Sequence, residues 1–495
     1  MTERSGAREL LRRVLDGGAW TSWDAPPAER PDPSSPYGRD LAAARERSGC
    51  DEAVLTGEGL LRGRRVAFVV SEFRFLAGSI GLATADRIVA AVERATAERL
   101  PLLAAPCSGG TRMQEGTAAF VQMARITAAV MAHRAAGLPY LAYLRHPTTG
   151  GVFASWGSLA HVTAAEPGAL IGFLGPRVYE GLRGEPFPPG VQVAENLAAK
   201  GLLDAVMGVG DLAEVASRAL DVLCGSPPWS PSALPEATLL EDAVPSGTAW
   251  DSIERSRRSD RPGVRELLCH GASDVTPLSG TGEGEADPGL LLALARFGAA
   301  PCVLVGQDRR SQREGRPLGP AGLRAARRGM RLAAELRLPL VTVVDTPGAD
   351  LSAGAEEGGL AGEIARCLAD LITLPAPTLC LLLGEGTGGA ALALLPADRV
   401  LAARHAWLSP LPPEGASLIV HRTPDRAAEM AAAHGVRSAD LLRTGLADAL
   451  VDERPDAADE PGPFCRRAAA AIEAGLSGLA PTGPAARQAR YRRAP

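Results

Sequence analysis

Short apolar runs alternate with longer amphipathic stretches along this chain, and the same order of elements occurs twice. In the first half, "RRVAFVV" predicts a buried strand and "ATADRIVAAVERATAERL" a helix with one apolar face. "LPLLAAPCSGG" is a second strand ending on paired glycines, followed by a helix over about residues 117–136. A third strand in "GLPYLAYLRHPTTGG" ends on another glycine pair, and "GGVFASWGSLAHV" reads as a helix of small residues. The second half gives "PCVLVG", "GLRAARRGMRLAAELR", "LPLVTVVDTPGAD", a helix over about residues 357–371, "APTLCLLLGEGTGG" and "GGAALALLPADRV". Strands alternating with helices of this length predict an α/β fold with largely parallel pairing.

The two halves share one register. Pro101 and Pro339, Pro139 and Pro377, Gly150 and Gly388, and Gly151 and Gly389 are each 238 residues apart, and "KGLLDAVM" answers to "TGLADALV". The chain is therefore a duplication or a fusion of two related subunits. The expected organisation is an N-terminal helical and loop extension (1–35), a first domain (36–224), a Pro- and Ser-rich linker (225–247), a second domain (248–480) and an Arg-rich tail (481–495) read as a solvated end.

Composition narrows the function classes. A net charge of -5 on 495 residues leaves no basic footprint for nucleic acid. No apolar run approaches the roughly 20 residues of a membrane span, and the charged start "MTERSGARELLRRVLDGG" lacks a signal-peptide core, so a cytoplasmic location away from membranes is expected. The eight cysteines are scattered without a C-x-x-C pair, which predicts neither disulfide framework nor zinc site. Lys200 is the only lysine, so a phosphate-binding Gly-x-x-x-x-Gly-Lys loop is absent.

The glycine turns carry the candidate chemistry. Two N–H groups converging on one oxygen form an oxyanion hole, which stabilises an enolate or a tetrahedral oxyanion by several kcal/mol. The candidates are Gly109, Gly110, Gly150 and Gly151 in the first half, and Gly348, Gly354, Gly388 and Gly389 in the second. Ser108, Thr149, Ala349, Ala355 and Ala390 flank them as substrate-contacting positions. Arg177 reads either as a ligand of a carboxylate or CoA phosphate or as a structural ion pair, and Arg112 either as a ligand or as a brace of the first turn. Glu115, Glu356 and Glu357 read as capping or interface residues, Cys107 as an inert buried thiol, and His146 is the histidine that directly precedes a glycine turn.

At these residues the chain resembles the carboxyltransferase component of bacterial acetyl-CoA carboxylase, of crotonase-like (ClpP/crotonase superfamily) fold. "SGGTRMQEG", "PTTGGVFASWGSLAHVTAAEPGALIGFLGPRVYE" and "PPGVQVAENLAAKGLLDAV" resemble its β subunit; "DTPGADLSAGAEEGGLAGEIARCLADL", "GEGTGGAALAL" and "LSPLPPEGASLIV" resemble its α subunit. The resemblance runs from about residue 36 to about residue 453 and implies two tandem crotonase-like domains of duplicated ββα units, β-like first. It implies transfer of a carboxyl group from carboxybiotin, borne on a separate carrier, to the α-carbon of an acyl-CoA. The biotin urea would take the α-proton, and the protein would supply alignment and two oxyanion holes. The β-like half would hold the acyl-CoA and the α-like half biotin. The implied partners are a biotin carboxylase, a biotin carboxyl carrier protein and a second copy of the chain in a homodimer or larger assembly.

Two features depart from the family pattern. The β subunit's four-cysteine zinc ribbon is missing, since Cys50 alone precedes the core, and the family's "GAEERGQ" reads "GAEEGGLAG", with Gly358 where an arginine is expected. The leading expectation is malonyl-CoA formation from acetyl-CoA or another short acyl-CoA. The alternatives are decarboxylation of a malonyl thioester and an inactive paralogue that serves as a scaffold.

Overall fold

The apolar runs of the first half assemble into one seven-stranded sheet in a computed structural model that describes residues 6–27, 31–225, 239–240, 247–479 and 483–492. The chain divides into two units, Met1–Leu220 and Asp221–Pro495. The linker expected over residues 225–247 falls mostly outside the described residues.

In the first unit the sheet runs β1 (Trp20–Ser22), β2 (Val54–Leu61), β3 (Arg64–Ser71), β4 (Leu102–Ala105), β5 (Tyr140–Leu144), β7 (Val162–Ala165), β9 (Ala205–Val206). β6 (Thr148–Thr149) and β8 (Ile171–Gly172) form a separate parallel pair. From β3 onward all pairing is parallel, as expected, whereas β1, β2 and β3 are antiparallel. This antiparallel edge fits the ββα units that the resemblance implies: the tight turn at Arg62 and Gly63 closes a hairpin that needs no crossover helix. The helices Leu82–Ala97 and Gly116–Ala135 pack Ile88, Val92, Met123, Ile126 and Val130 into one core with Val69 and Leu102. The small-residue stretch after Gly150 is a series of turns ending in a 3-10 segment, Trp156–Ser158, rather than the predicted helix. There the Ser155 hydroxyl donates to the Gly151 carbonyl and the Gly157 N–H to Val152 O, drawing the backbone out of helical pairing.

The second unit repeats the plan. Its strands are β10 (Leu239–Leu240), β11 (Ser273–Leu278), β12 (Leu290–Phe297), β13 (Ala300–Gln307), β14 (Leu340–Thr346), β15 (Thr378–Thr387), β16 (Arg399–Ala403), β17 (Trp407–Ser409) and β18 (Ala449–Val451). The sheet order is β10-β18-β16-β15-β14-β13-β12-β11, with β17 beside the end of β15. β3 and β13, β4 and β14, and β5 and β15 take equivalent places. The equivalent helices Leu82–Ala97 and Pro320–Leu336 both begin after a glycine N-cap, and a carboxylate from elsewhere satisfies each end. Glu115 accepts the Leu82 N–H in the first unit; Asp287 accepts those of Gly319 (2.8 Å) and Gly322 (3.1 Å) in the second. The capping reading of Glu115 is therefore the one the geometry realises.

The Arg-rich end is not a solvated tail. Residues Gly483–Arg492 form a helix in which Arg487 is 1% exposed. Its guanidinium bonds Asp398 at 2.7 Å and the carbonyls of Leu371, Leu374 and Ala376. A fork of five fixed donors can satisfy several carbonyls at once, which a sequence count of arginines does not reveal.

Candidate active site

Each unit builds its first glycine turn from a hydroxyl residue and a glycine two positions on. The Ser108 Oγ accepts the Gly110 N–H at 3.0 Å, and the Thr346 Oγ1 accepts the Gly348 N–H at 3.1 Å. Gly110 and Gly348 have φ of +110° and +138°, a region that L side chains rarely enter. The same 238-residue step links the bridges that fix these turns, Ile80 with Thr111 and Leu318 with Ala349. Ser108 is bridged to Thr148, and Thr346 to Gly386, which brings the second turn beside the first in each unit.

The second turns match as well. Gly150 and Gly388 have φ of +64° and +65°. In the first unit the turns touch: a Cβ on Gly150 would lie 3.3 Å from the Gly110 Cα. Gly151 and Gly389 each lie against the helix between the two turns, where a Cβ would meet Met123 Cγ at 3.1 Å and Ile364 Cδ1 at 2.9 Å.

The donors are not all free. The Gly109 N–H is spent on Ala77 O (2.9 Å), that of Gly110 on Ser108 Oγ, and that of Gly150 on Phe173 O (2.9 Å). Among the described residues, the Gly151 N–H has no acceptor. In the second unit, Gly388–Leu392 is a helical turn whose early N–H groups, those of Gly389 and Ala390 among them, lack intrahelical acceptors. Gly348 spends its N–H on Thr346, and Ala355 on the Ser352 hydroxyl that caps the short helix Ala353–Glu357. Gly354 is exposed at the start of that helix. Of the named glycines, Gly151 and Gly389 are thus the best placed to offer a donor.

The side chains that sequence reading had set beside these turns mostly brace them. Arg112 is 1% exposed; it bonds both Glu52 oxygens, Ser79 O (2.9 Å) and the Thr84 hydroxyl (3.0 Å), leaving no surface for a substrate. This corrects its placement among the ligands. Thr149 donates its hydroxyl to Ser108 O at 3.3 Å. His146 accepts the Leu170 N–H on Nδ1 at 3.0 Å, and the Cys107 thiol donates to the His146 carbonyl at 2.9 Å. The Arg177 side chain lies outside the described residues, on a helix spanning Pro176–Arg183. Gly358, where an arginine was expected, is tight: a Cβ would meet Pro320 Cγ at 2.8 Å, and its carbonyl accepts from Arg324 Nη2 at 2.7 Å.

Beneath the turns of the second unit lies a charged network that sequence reasoning missed. Asp345, the last residue but one of β14, pairs with Arg309 at 3.0 Å and accepts the Glu385 N–H at 3.1 Å. Glu385, three residues before Gly388, meets Arg257 Nε at 3.3 Å; the same guanidinium holds Glu414 at 2.6 Å. Burial, with the Asp345 charge beside it, pushes the Glu385 carboxyl above its ordinary range, against the pull of Arg257 and Arg309. Gln307 ties the strands to the turn, donating to Ala390 O at 2.7 Å and accepting the Asp345 N–H at 3.0 Å. A carboxylate closing an otherwise apolar strand, as in "LVTVVD" and "LCLLLGE", was the available signal, because a buried charge requires a partner.

The carboxyl transferase domain family matches residues 31–487. A "Probable biotin-dependent acyl-coenzyme A carboxylase beta3 subunit" of Mycobacterium tuberculosis is 60% identical over 489 residues, 98% of this chain and 97% of that protein. The "Acetyl-coenzyme A carboxylase carboxyl transferase subunits beta/alpha" of Salinispora arenicola is 38% identical over 502 residues, 97% of this chain and 87% of that protein. Among solved structures, the transcarboxylase 12S hexamer aligns with TM-score 0.74 at 22% identity, over 95% of this chain and 90% of its own. A single-chain, multi-domain long-chain acyl-CoA carboxylase aligns with TM-score 0.72 at 18% identity, over 96% of this chain and 46% of its own. These two likenesses carry the fold, which is the crotonase-like arrangement of two α/β domains. On the family match and the identity of its relatives, the chain belongs to the carboxyl transferase domain family of biotin-dependent carboxyltransferases.

Proposed function

We propose that the chain is the carboxyltransferase subunit of a biotin-dependent acyl-CoA carboxylase, with acetyl-CoA or another short acyl-CoA as acceptor and malonyl-CoA or its homologue as product. The observation that carries the reading is the paired glycine turn, repeated 238 residues apart with matched positive φ angles and an unspent donor at each second turn. Such donors are fixed before reaction and cost no reorganisation when negative charge develops on a thioester or urea oxygen. In this reading Gly151 serves the thioester oxygen, with Gly109, Gly110 and Gly150 shaping the turn. Gly388, Gly389 and Ala390, with Gly348 and Ala349, serve the biotin carbonyl, and Gly354 and Ala355 line its approach.

The second unit's turn suits a polar, neutral group, since Thr387 and Ser409 bury hydroxyls without partners beside it. When bound, carboxybiotin supplies the carboxyl group and the base. The chain supplies the orientation, the donors and the exclusion of water. No side chain named at the turns is placed as a general base, which fits a reaction whose proton transfer belongs to the cofactor. A biotin carboxylase and a biotin carrier would then work with this chain. Assembly with a second copy is supported by apolar side chains left exposed near the turns: Met113, Phe120 and Phe173 in the first unit, Leu351, Ile419 and Val420 in the second.

The test is the reverse reaction. Malonyl-CoA mixed with the purified chain and free biotin should yield acetyl-CoA, followed by mass, and omission of biotin should abolish the yield. Biotin-independent loss of CO2 would favour a decarboxylase instead. A chain that turns over methylmalonyl-CoA but not malonyl-CoA would overturn the acetyl-CoA assignment while leaving the reaction class intact.

A further inference from the structure

Two parallel strands meet at the second turn of the second unit, with Glu385 opposite Trp407 and Thr387 opposite Ser409. Side chains two apart on a strand share a face, so these four stand together. The first pair is covered: the Arg257 guanidinium lies 5.5 Å from the Trp407 ring centroid and bonds Glu385. The second pair lies one step nearer Gly388, and no side chain bonds it. Thr387 is 2% exposed and Ser409 4%, yet neither hydroxyl has a hydrogen-bond partner among the described residues. A buried hydroxyl left in that state destabilises the fold.

The first unit resolves the same positions differently. There the equivalent pair is Thr149 and Gly172; the threonine hydroxyl bonds Ser108 O, and the glycine leaves room for Gln192, whose Nε2 would lie 2.4 Å from a Cβ. The two unsatisfied hydroxyls at this turn are therefore peculiar to the second unit. A hydroxyl both donates and accepts, so two side by side match a flat group that presents N–H and C=O on neighbouring edges.

We propose that Thr387 and Ser409 are ligand-contacting residues that hydrogen-bond the cyclic urea of biotin beside the backbone donors of this turn. The inference rests on the proposed function, which assigns biotin to this unit, and names the side chains that would read the urea. Its physical signature is a trade: apolar replacement removes an unsatisfied hydroxyl from the fold while weakening the ligand.

The experiment compares Thr387→Val, Ser409→Ala and the conservative Thr387→Ser with wild type. It measures retention of labelled biotin by equilibrium dialysis, KM for free biotin and for malonyl-CoA in the reverse reaction, and Tm. Loss of one such bond should weaken biotin by about 5- to 20-fold in Thr387→Val and Ser409→Ala, with malonyl-CoA KM unchanged and Tm equal or higher. Thr387→Ser should stay within about twofold of wild type. Wild-type biotin affinity in both apolar variants would overturn the inference and leave the proposed function standing. So would a lowered Tm with both KM values rising together, which would mark the hydroxyls as parts of the fold. A wild-type chain that neither retains biotin nor turns over would sink the proposed function and this inference together.

Discussion

The two units use one backbone device on two different floors. Ser108 with Gly110 and Thr346 with Gly348 make the same hydroxyl-to-N–H turn at the same 238-residue step. At that step, however, Cys107 stands where the second unit has Asp345, and Pro147 where it has Glu385. At these two positions the first floor is uncharged: the Cys107 thiol donates to the His146 carbonyl, while the charges nearby serve the backbone, Arg145 donating to Ser71 O at 2.8 Å and Glu166 accepting the His146 N–H at 3.0 Å. The second is a chain of charges, buried at Arg309, Asp345 and Glu385 and half-buried at Arg257 and Glu414. The difference teaches that the turn is specified by its own hydroxyl, its glycine and one bridge. What lies beneath is free to take on another task, such as tuning the polarity around a bound group.

The largest expected effect tests whether the charged floor supports the turn. Arg309→Met would leave Asp345 buried with its main cation removed, and breaking a buried pair in this way costs about 3–5 kcal/mol. The denaturant midpoint should fall accordingly, with hydrogen exchange rising in the second unit alone. Adding Asp345→Cys, which imports the first unit's residue, should recover most of the loss. If the single variant melts like wild type, the second floor is as passive as the first.

The next effect falls on rate. Gly150→Ala and Gly388→Ala each force an L side chain into a left-handed position and disturb a donor turn, so turnover should fall by about 10²–10³-fold in either. Equal falls would mean that both turns carry charge in the reaction. A fall in Gly150→Ala alone would reduce the second turn to scaffolding and break the parallel.

The parallel itself was legible in the chain because prolines and glycines cannot drift: each marks a strand entry or a turn that only those residues make. The strand and helix order was legible for the same reason that the core forms, since Val66–Val70 and Leu379–Leu383 are buried almost throughout. The hairpins were not, because antiparallel partners such as Leu55 and Val70 carry no register signal beyond their apolar character. The charged floor was hidden by distance: Arg257 meets Glu385 across 128 residues. Sequence reading left Arg112 as either a ligand or a brace, because it could not show that Glu52, 60 residues away, matches the guanidinium and lets it be buried whole.

Acidity sharpens the comparison next. In the second unit, burial alone would raise the Glu453 carboxyl, but the Arg261 charge, 2.7 Å away in a pair with no exposure, holds it at about 2. A carboxyl depressed in the fold stabilises it above its unfolded value of 4.5, and that stability is lost as pH falls from there toward about 2. The stability difference between wild type and Glu453→Gln should therefore shrink from roughly 3 kcal/mol near neutrality toward zero at the acid end. Urea midpoints followed across pH would check it. A constant difference would mean that Arg261 does not govern this carboxyl.

The smallest effect is expected at Cys107, and for that reason it is the sharpest test of the uncharged position in the first floor. Its thiol is 2% exposed and donates to the His146 carbonyl at 2.9 Å. Serine keeps that donor with a shorter reach, so Cys107→Ser should change stability by about 1 kcal/mol or less and turnover by no more than about twofold. The comparison with Asp345, one repeat later, explains why: the second unit's residue closes a charge pair, whereas the first unit's fills space and caps a carbonyl that a serine can also cap. A folded Cys107→Ser chain without turnover would make the thiol a reacting group. The first turn would then be a site of side-chain chemistry, and the likeness between the two turns would end at their backbones.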